Sequence, residues 1–364
     1  MRRLPAPRGQ RAASIQSNCV ASRRLLASIT LACGLFVGGL CVGTARADSM
    51  DPILSRLRTV GGRGGCAQSP DRFCKNAEQF ERLVSELGVA LAPPMSSPAA
   101  SDGASGLGLA LDTTITSVDA NAAHWQGGTL SPDPVLVWTH ATLRKGLPFG
   151  LEVGTTIGRG HATSLWSLGL SLKWAIIEGF RTGVGALPDV ALQATTTRSM
   201  GLDDLTLATH SLDLLLSKPL HVGRGYRIAP MLGVQLLFLE AESGLVDLTP
   251  GPEDTPDGMQ TVEDVDAFEG CKPGAPERPG EAAPLSCTGD GADFSNNVQF
   301  DDVEQVRVRL FIGGQLQFGI WRFSTSLGLD LLAPELQAQR SNSATSDPRL
   351  GRQIAFTLAA GAVL

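Results

Sequence analysis

The sequence predicts an all-β fold, a transmembrane antiparallel β-barrel of about ten strands, and three observations predict it. First, from about Gly106 to Leu364 the apolar residues fall on alternate positions, segment after segment. Successive side chains of a strand point to opposite faces, so such segments are apolar on one side. Second, the sparse face is the one a soluble sheet would use as its core. Trp166, Leu168, Leu170, Leu172, Trp174 and Ile176 share one parity, and Ser167, Gly169, Ser171, Lys173 and Ala175 hold the other. An apolar outside around a polar inside describes a barrel in lipid. Third, aromatic residues gather at strand ends. Trp166 and Trp174 lie roughly 26 Å apart along one strand, far enough to mark two membrane interfaces.

The elements follow in chain order. Arg2, Arg3, Arg8, Arg11, Arg23 and Arg24 make a basic n-region, 25–42 is an apolar h-region, and Ala45-Arg46-Ala47 is an A-x-A cleavage site. Residues 1–47 therefore read as a signal peptide. A retained anchor and a lipoprotein signal ending at Cys33 are the alternatives; the small-residue site directly after the apolar run favours cleavage. Residues 48–105 are expected to form a short periplasmic segment and linker. Within it, 77–87 reads as a helix with Phe80, Leu83, Val84 and Leu87 on one face. The stretch 96–105 is a small-residue linker.

Residues 106–364 are the expected barrel. Leu107, Leu109, Leu111, Thr113 and Ile115 face outward on the first strand, with Asp112 on the other parity. The second, 135–143, accepts either facing. The third puts Leu147, Phe149, Leu151, Val153 and Ile157 outward against Glu152, and the fourth is described above. The fifth and sixth present Val190, Leu192 and Ala194, then Leu212, Leu214 and Leu216, with Asp213 opposed. The seventh opposes Tyr226, Ile228, Leu232, Val234, Leu236 and Phe238 to Arg227. The eighth opposes Val306, Val308, Leu310, Ile312, Leu316 and Phe318 to Arg307 and Arg309. The ninth opposes Trp321, Phe323, Leu327, Leu329 and Leu331 to Arg322 and Asp330. Ile354, Phe356, Leu358, Ala360, Ala362 and Leu364 end the chain. Ten satisfies the even count of bacterial single-chain barrels, and eight or twelve also fit the pattern. With the first strand rising from the periplasm, 145–146, 219–225 and 319–320 become short inner turns. The longer links 118–132, 240–302 and 334–349 then lie outside; 178–187 is a longer link that this scheme puts inside.

A formal net charge of -6 argues against a nucleic-acid partner. Once the signal is removed, Cys66, Cys74, Cys271 and Cys287 remain, an even set in two sequence-local pairs. Neither pair has zinc spacing, so two disulfides made in an oxidising compartment are expected.

Taken with its ending, Ile354-x-Phe356-x-Leu358 through Leu364, the region 106–364 resembles a Gram-negative outer-membrane β-barrel protein. The last strand is similar to the signal read by the barrel-assembly machinery, departing in its final Leu where an aromatic is usual. The resemblance implies residence in the outer membrane and contact with its lipid. The phrases Val84-Ser85-Glu86-Leu87-Gly88 to Pro93-Pro94, and Leu187-Pro188-Asp189-Val190-Ala191, resemble exported proteins of myxobacteria and their relatives. That likeness implies a compartment and an architecture and brings no activity with it.

Three constellations could carry chemistry. Asp112, Glu152, Lys173, Asp213, Arg227, Arg307, Arg309, Arg322 and Asp330 project into a narrow lumen, where paired charges would brace it or line a small channel. His124, His161, Asp203 and Asp204 fall in external loops, where an Asp and a His could activate water; His210 faces outward, where an acylhydrolase would need a Ser beside it. No motif supports catalysis. The acidic, proline-rich loop 240–302 reads as a solvated surface loop, with extracellular or divalent-cation contact as the alternative. Its Cys271 and Cys287 would close a sub-loop worth ~3 kcal/mol. No cofactor and no metal site follows from any of these. The expected role is structural or surface-interacting; a narrow channel for small solutes and a rim hydrolase are the alternatives.

Overall fold

The computed structural model describes residues 49–60, 73–178, 187–223, 225–248, 271–273, 285–287, 297–331 and 353–364. Ten long strands form the wall: β1 (Leu107–Ser117), β2 (Val135–Gly146), β3 (Leu151–Gly160), β4 (Trp166–Ile177), β5 (Asp189–Met200), β6 (Leu205–Ser217), β7 (Tyr226–Ser243), β8 (Val303–Phe318), β9 (Trp321–Asp330) and β10 (Ile354–Val363). Each pairs antiparallel with the next, and β10 pairs with β1 from Ala355↔Thr116 to Val363↔Gly108, which closes the sheet. Closure leaves no long unpaired edge. The expected strand number and up-and-down order are therefore the observed ones.

The facing agrees with the alternation. Leu170, Trp174, Leu232, Phe318, Trp321 and Phe356 are exposed on the outside. The second strand, open in the sequence, puts Leu136, Trp138 and His140 inward because these large side chains find a partner there. A register shift between Ala175 and Ile177 bends the end of β4, leaving both Ile176 and Ile177 outside. On β7 the outward apolar run extends from Tyr226 to Phe238, and then Glu240 and Glu242 follow. At 3.3 Å per residue and a tilt of ~40°, that run spans about 30 Å, the height of a bilayer core. At the lower border Tyr226 stacks on Phe318 with ring centroids 4.9 Å apart, and Phe318 is the register partner of Trp321. Phe149, in the turn between β2 and β3, has φ 65° and is 90% exposed. The architecture is that of a membrane-spanning barrel.

Two expectations need correction. The segment 48–105 is expected from the sequence to stand apart from the barrel as a periplasmic unit; its described residues lie inside it. Helix α1 (Ala77–Leu91) begins at Asn76, whose side chain accepts from the Gln79 amide. From Leu83 to Leu91 every residue is buried, against inward side chains of β2, β6 and β7 among others. A surface helix buries one stripe; one enclosed by a barrel is covered all round. The sequence shows one apolar face because Glu86 and Ser85 look like surface residues until buried partners are found for them.

The second correction concerns the interior. Buried ion pairs gather toward the end of the short turns, and the main apolar core lies toward the other. Leu136, Trp138, Leu205, Leu207 and Leu239 of the wall join Phe80, Leu83 and Leu87 of α1 in a single core with Met50, Leu54 and Leu57. A second short helix, α2 (Ala123–Gly128), lies in the β1–β2 link and adds Trp125 to that core. The loop at 240–302 is likewise structured at its base. Leu245–Asp247 pairs with Asn297–Gln299, continuing the β7–β8 hairpin, and Phe300 stacks on Phe80 at 4.5 Å. Farther out, Cys271–Pro273 pairs with Leu285–Cys287 despite the surrounding prolines. The remainder of that loop falls outside the described residues.

Candidate functional site in the barrel lumen

The lumen is occupied along its length by the chain that precedes β1. At the end of the long loops, the Met50 amide donates to the Ala162 carbonyl (2.9 Å) and the Ile53 amide to the Gly128 carbonyl (2.7 Å). Asp51 accepts from the amide and hydroxyl of Ser164 at 2.7 and 2.9 Å. Beneath them, the buried Glu86 carboxylate of α1 accepts from Trp125 Nε1 (2.7 Å) and lies 3.2 Å from His124 Nε2. Helix α2 thus hangs on α1 by a carboxylate that has left water, a position that requires such partners.

Halfway down, Ser85 meets the wall. Its hydroxyl donates to Gln305 Oε1 (2.5 Å) and accepts from Arg307, whose other nitrogen reaches Asp330 Oδ2 at 2.6 Å. Arg309 donates to Gln235 Oε1 (3.0 Å) with its guanidinium 4.9 Å from the Phe311 ring centroid, and Gln235 in turn donates to the Pro93 carbonyl (3.4 Å). Close approach needs small residues here. A Cβ on Gly88 would lie 1.6 Å from Leu239 Cδ1, and one on Gly233 would lie 1.9 Å from Met95 Cε.

At the end of the short turns the contacts become ionic. Lys173 Nζ lies 3.1 Å from Glu152 Oε1 and 3.4 Å from the carbonyls of Pro98 and Ala100. Arg322 pairs with Asp102, Ser324 donates to the Ser96 carbonyl at 2.7 Å, and the Ala99 amide donates to Ser217 Oγ at 3.0 Å. Asp102 sits in what reads as a small-residue linker, and nothing in the sequence marks it as an ion-pair partner 220 positions from Arg322.

The sequence-derived lumen residues are all on the inner face and take different partners. Glu152, Lys173, Arg307 and Arg322 each touch the threaded segment, and Asp330 pairs with Arg307. Asp112 accepts from Thr142 (3.2 Å) and Asp213 from Ser211 (3.4 Å). Arg227 lines a cavity of about 20 Å³ with Asp102, Asp189 and Arg322. That space holds about one water.

The rim residues are not assembled. His124 is buried against Glu86, and His161 is exposed with Nε2 2.9 Å from Thr139 Oγ1. Asp203 and Asp204 are exposed in the β5–β6 link. Partial burial, then the neighbouring Asp203, raises the Asp204 carboxyl above its ordinary value. His210 faces outward on β6, 3.9 Å from Glu240. Cys74 is disulfide-bonded, and Cys66 lies outside the described residues. Cys271 and Cys287 are register partners.

No protein-family model matches the chain, and no curated protein matches it. Among solved structures, it is similar to the N-terminal β-barrel domain of Pseudomonas aeruginosa OprF, at 8% identity and TM-score 0.26, covering 71% of this chain and 97% of that one. It is also similar to the translocator domain of the autotransporter NalP from Neisseria meningitidis, at 10% identity and TM-score 0.29, covering 79% and 95%. A third likeness is to the Acinetobacter baumannii outer membrane protein Omp33, at 6% identity and TM-score 0.23, covering 72% and 100%.

Proposed function

We propose that this chain is an outer-membrane β-barrel closed by its own N-terminal segment, with a structural or surface-interaction role and no flow through its lumen. The observation that carries this reading is the anchoring of the described residues between 50 and 103 to the inner wall from one end to the other. Each anchoring point removes a charge or a backbone group from water in exchange for a partner, so withdrawing the segment would expose many at once. The apolar exterior, about 30 Å high between its polar borders, supports residence in a bilayer. Three long links at one end, against mostly short turns at the other, support an orientation with the long links outside the cell.

The test is single-channel recording of the full mature chain in planar bilayers. The expected result is no steady conductance above the bare membrane. A steady current that scales with salt would overturn the occluded reading in favour of a narrow solute channel.

A further inference from the structure

We infer that the mature N-terminus lies on the outer face of the membrane, so that this chain carries its own beginning outward through the barrel. The inference rests on the orientation proposed above and on removal of the expected signal peptide, and extends them. A periplasmic segment would join β1 at the inner end and stay there. Here the chain reaches β1 from inside the barrel. Gly106, just before β1, receives the Gly146 amide at its carbonyl (3.0 Å), and Asp102 and Ser101 meet Arg322 and Glu178, all at the end of the short turns. Moving backward in sequence the contacts climb the lumen: Ser96 with Ser324, Pro93 with Gln235, then the adjacent Glu86 and Ser85 with Trp125 and Arg307. The first described residues finish at the opposite end, among the long links. Met50 bonds to Ala162, Asp51 to Ser164, and Arg56 Nη1 donates to the Thr129 carbonyl at 2.8 Å.

At that end the segment and the acidic loop share one structure. Arg58 donates to the Leu248 carbonyl, and Lys75 Nζ reaches the Gln299 carbonyl at 2.9 Å and Asp301 Oδ1 at 3.0 Å. Leu54 and Leu57 are buried with Leu248 and Phe300 in the same core. Residues 50–58 and 73–76 together with the base of the 240–302 loop therefore make a composite cap, basic side chains from one against carbonyl and carboxylate oxygens of the other. A short chain displayed in this way is a surface element in its own right.

Three epitope-tagged versions of the full chain test this: a tag between Asp48 and Ser49, one after Gly258 in the long loop, and one after Gly319 in the β8–β9 turn. Gly319 has φ 58° and open space around it, so an insertion there meets nothing. Each version is first checked for heat-modifiable migration, the sign of a folded barrel. A version with Ser49→Cys, labelled by a membrane-impermeant maleimide, replaces the first tag if that insertion blocks export. The expected result is that the first two positions are labelled as fully on intact cells as after lysis, and the third only after lysis. If the loop tag is labelled on intact cells and the N-terminal tag only after lysis, the orientation stands and the display is wrong. If the Gly319 tag is the one labelled on intact cells, the proposed orientation fails and display at the cell surface falls with it.

Discussion

Leu170 and Ser171 are adjacent in sequence and face different solvents. Leu170 is 59% exposed in the middle of the outer apolar band, and Ser171 points inward, where its hydroxyl would lie 2.5 Å from a Cβ on Gly154. Leu170→Arg is expected to cost about 2–4 kcal/mol at the bilayer midplane, read from urea titrations of folding into liposomes. Ser171→Arg should insert but disturb packing with β3. Equal, mild effects of the two would mean that the facing assignment is wrong. A second prediction concerns Glu152, which holds both Lys173 and the Asp102 amide. Glu152→Gln leaves Lys173 buried without its carboxylate and is expected to cost about 3–5 kcal/mol. Glu152→Gln combined with Lys173→Met should recover much of that loss. No recovery in the double variant would show that the pair matters for its carbonyl contacts alone.

Helix α1 is the element on which the interior depends, and Gly88 sets how closely it meets the wall. Gly88 lets the helix backbone approach Leu239 closely. Gly88→Leu would force the two elements apart in a packed core, at an expected cost of about 1–3 kcal/mol. The comparison is Val89→Leu, a smaller change at a position already filled. Similar melting temperatures for the two would argue against the close approach. The descent of the chain below α1 can be tested by cross-linking, since Ser324 Oγ and the Ser96 carbonyl are 2.7 Å apart. Ser96→Cys with Ser324→Cys should be joined by a short bifunctional maleimide in the folded protein, which shifts its migration on gels. In the outer loop, Cys271 and Cys287 are opposed across a short ladder. Replacing both with Ser should speed proteolysis between Glu240 and Asp302 and leave barrel heat-modifiability unchanged, because neither lies in a wall strand.

For the whole molecule, wall and threaded segment belong to one compact unit, Ala47–Leu364. Removing 49–105 would take Ser85 from Arg307 and Asp102 from Arg322, and expose the inward Leu205, Leu207 and Leu239 to water. The truncated barrel is therefore expected either to fail to fold into liposomes or to fold with a steady conductance that the full chain lacks. A truncated barrel as stable and as silent as the full chain would remove the segment from any sealing role.

Much of the wall is legible in the amino-acid sequence. Strand period, facing, order and even the division into short and long links can be read there because alternation is a local property: each strand reports its own two faces through residues two apart. The charged inner positions are legible for the same reason. The occupant of the lumen is not. Glu86 sits in a helix pattern that is equally good on a surface, and Asp102 and Ser96 sit in a stretch of small residues that looks like a linker. Their partners, Trp125, Arg322 and Ser324, are separated from them by most of the barrel sequence or by a strand of it. Which residues meet inside a closed barrel depends on where closure puts opposite walls, and a period of two says nothing about that. Alternation alone establishes a lipid-facing barrel of about ten strands, since water and hydrocarbon sort side chains residue by residue. That the lumen is filled, and that the chain enters its own barrel from the far end, emerges only on folding, because burial of Glu86, Arg307 and Asp102 is favourable only when all their partners converge.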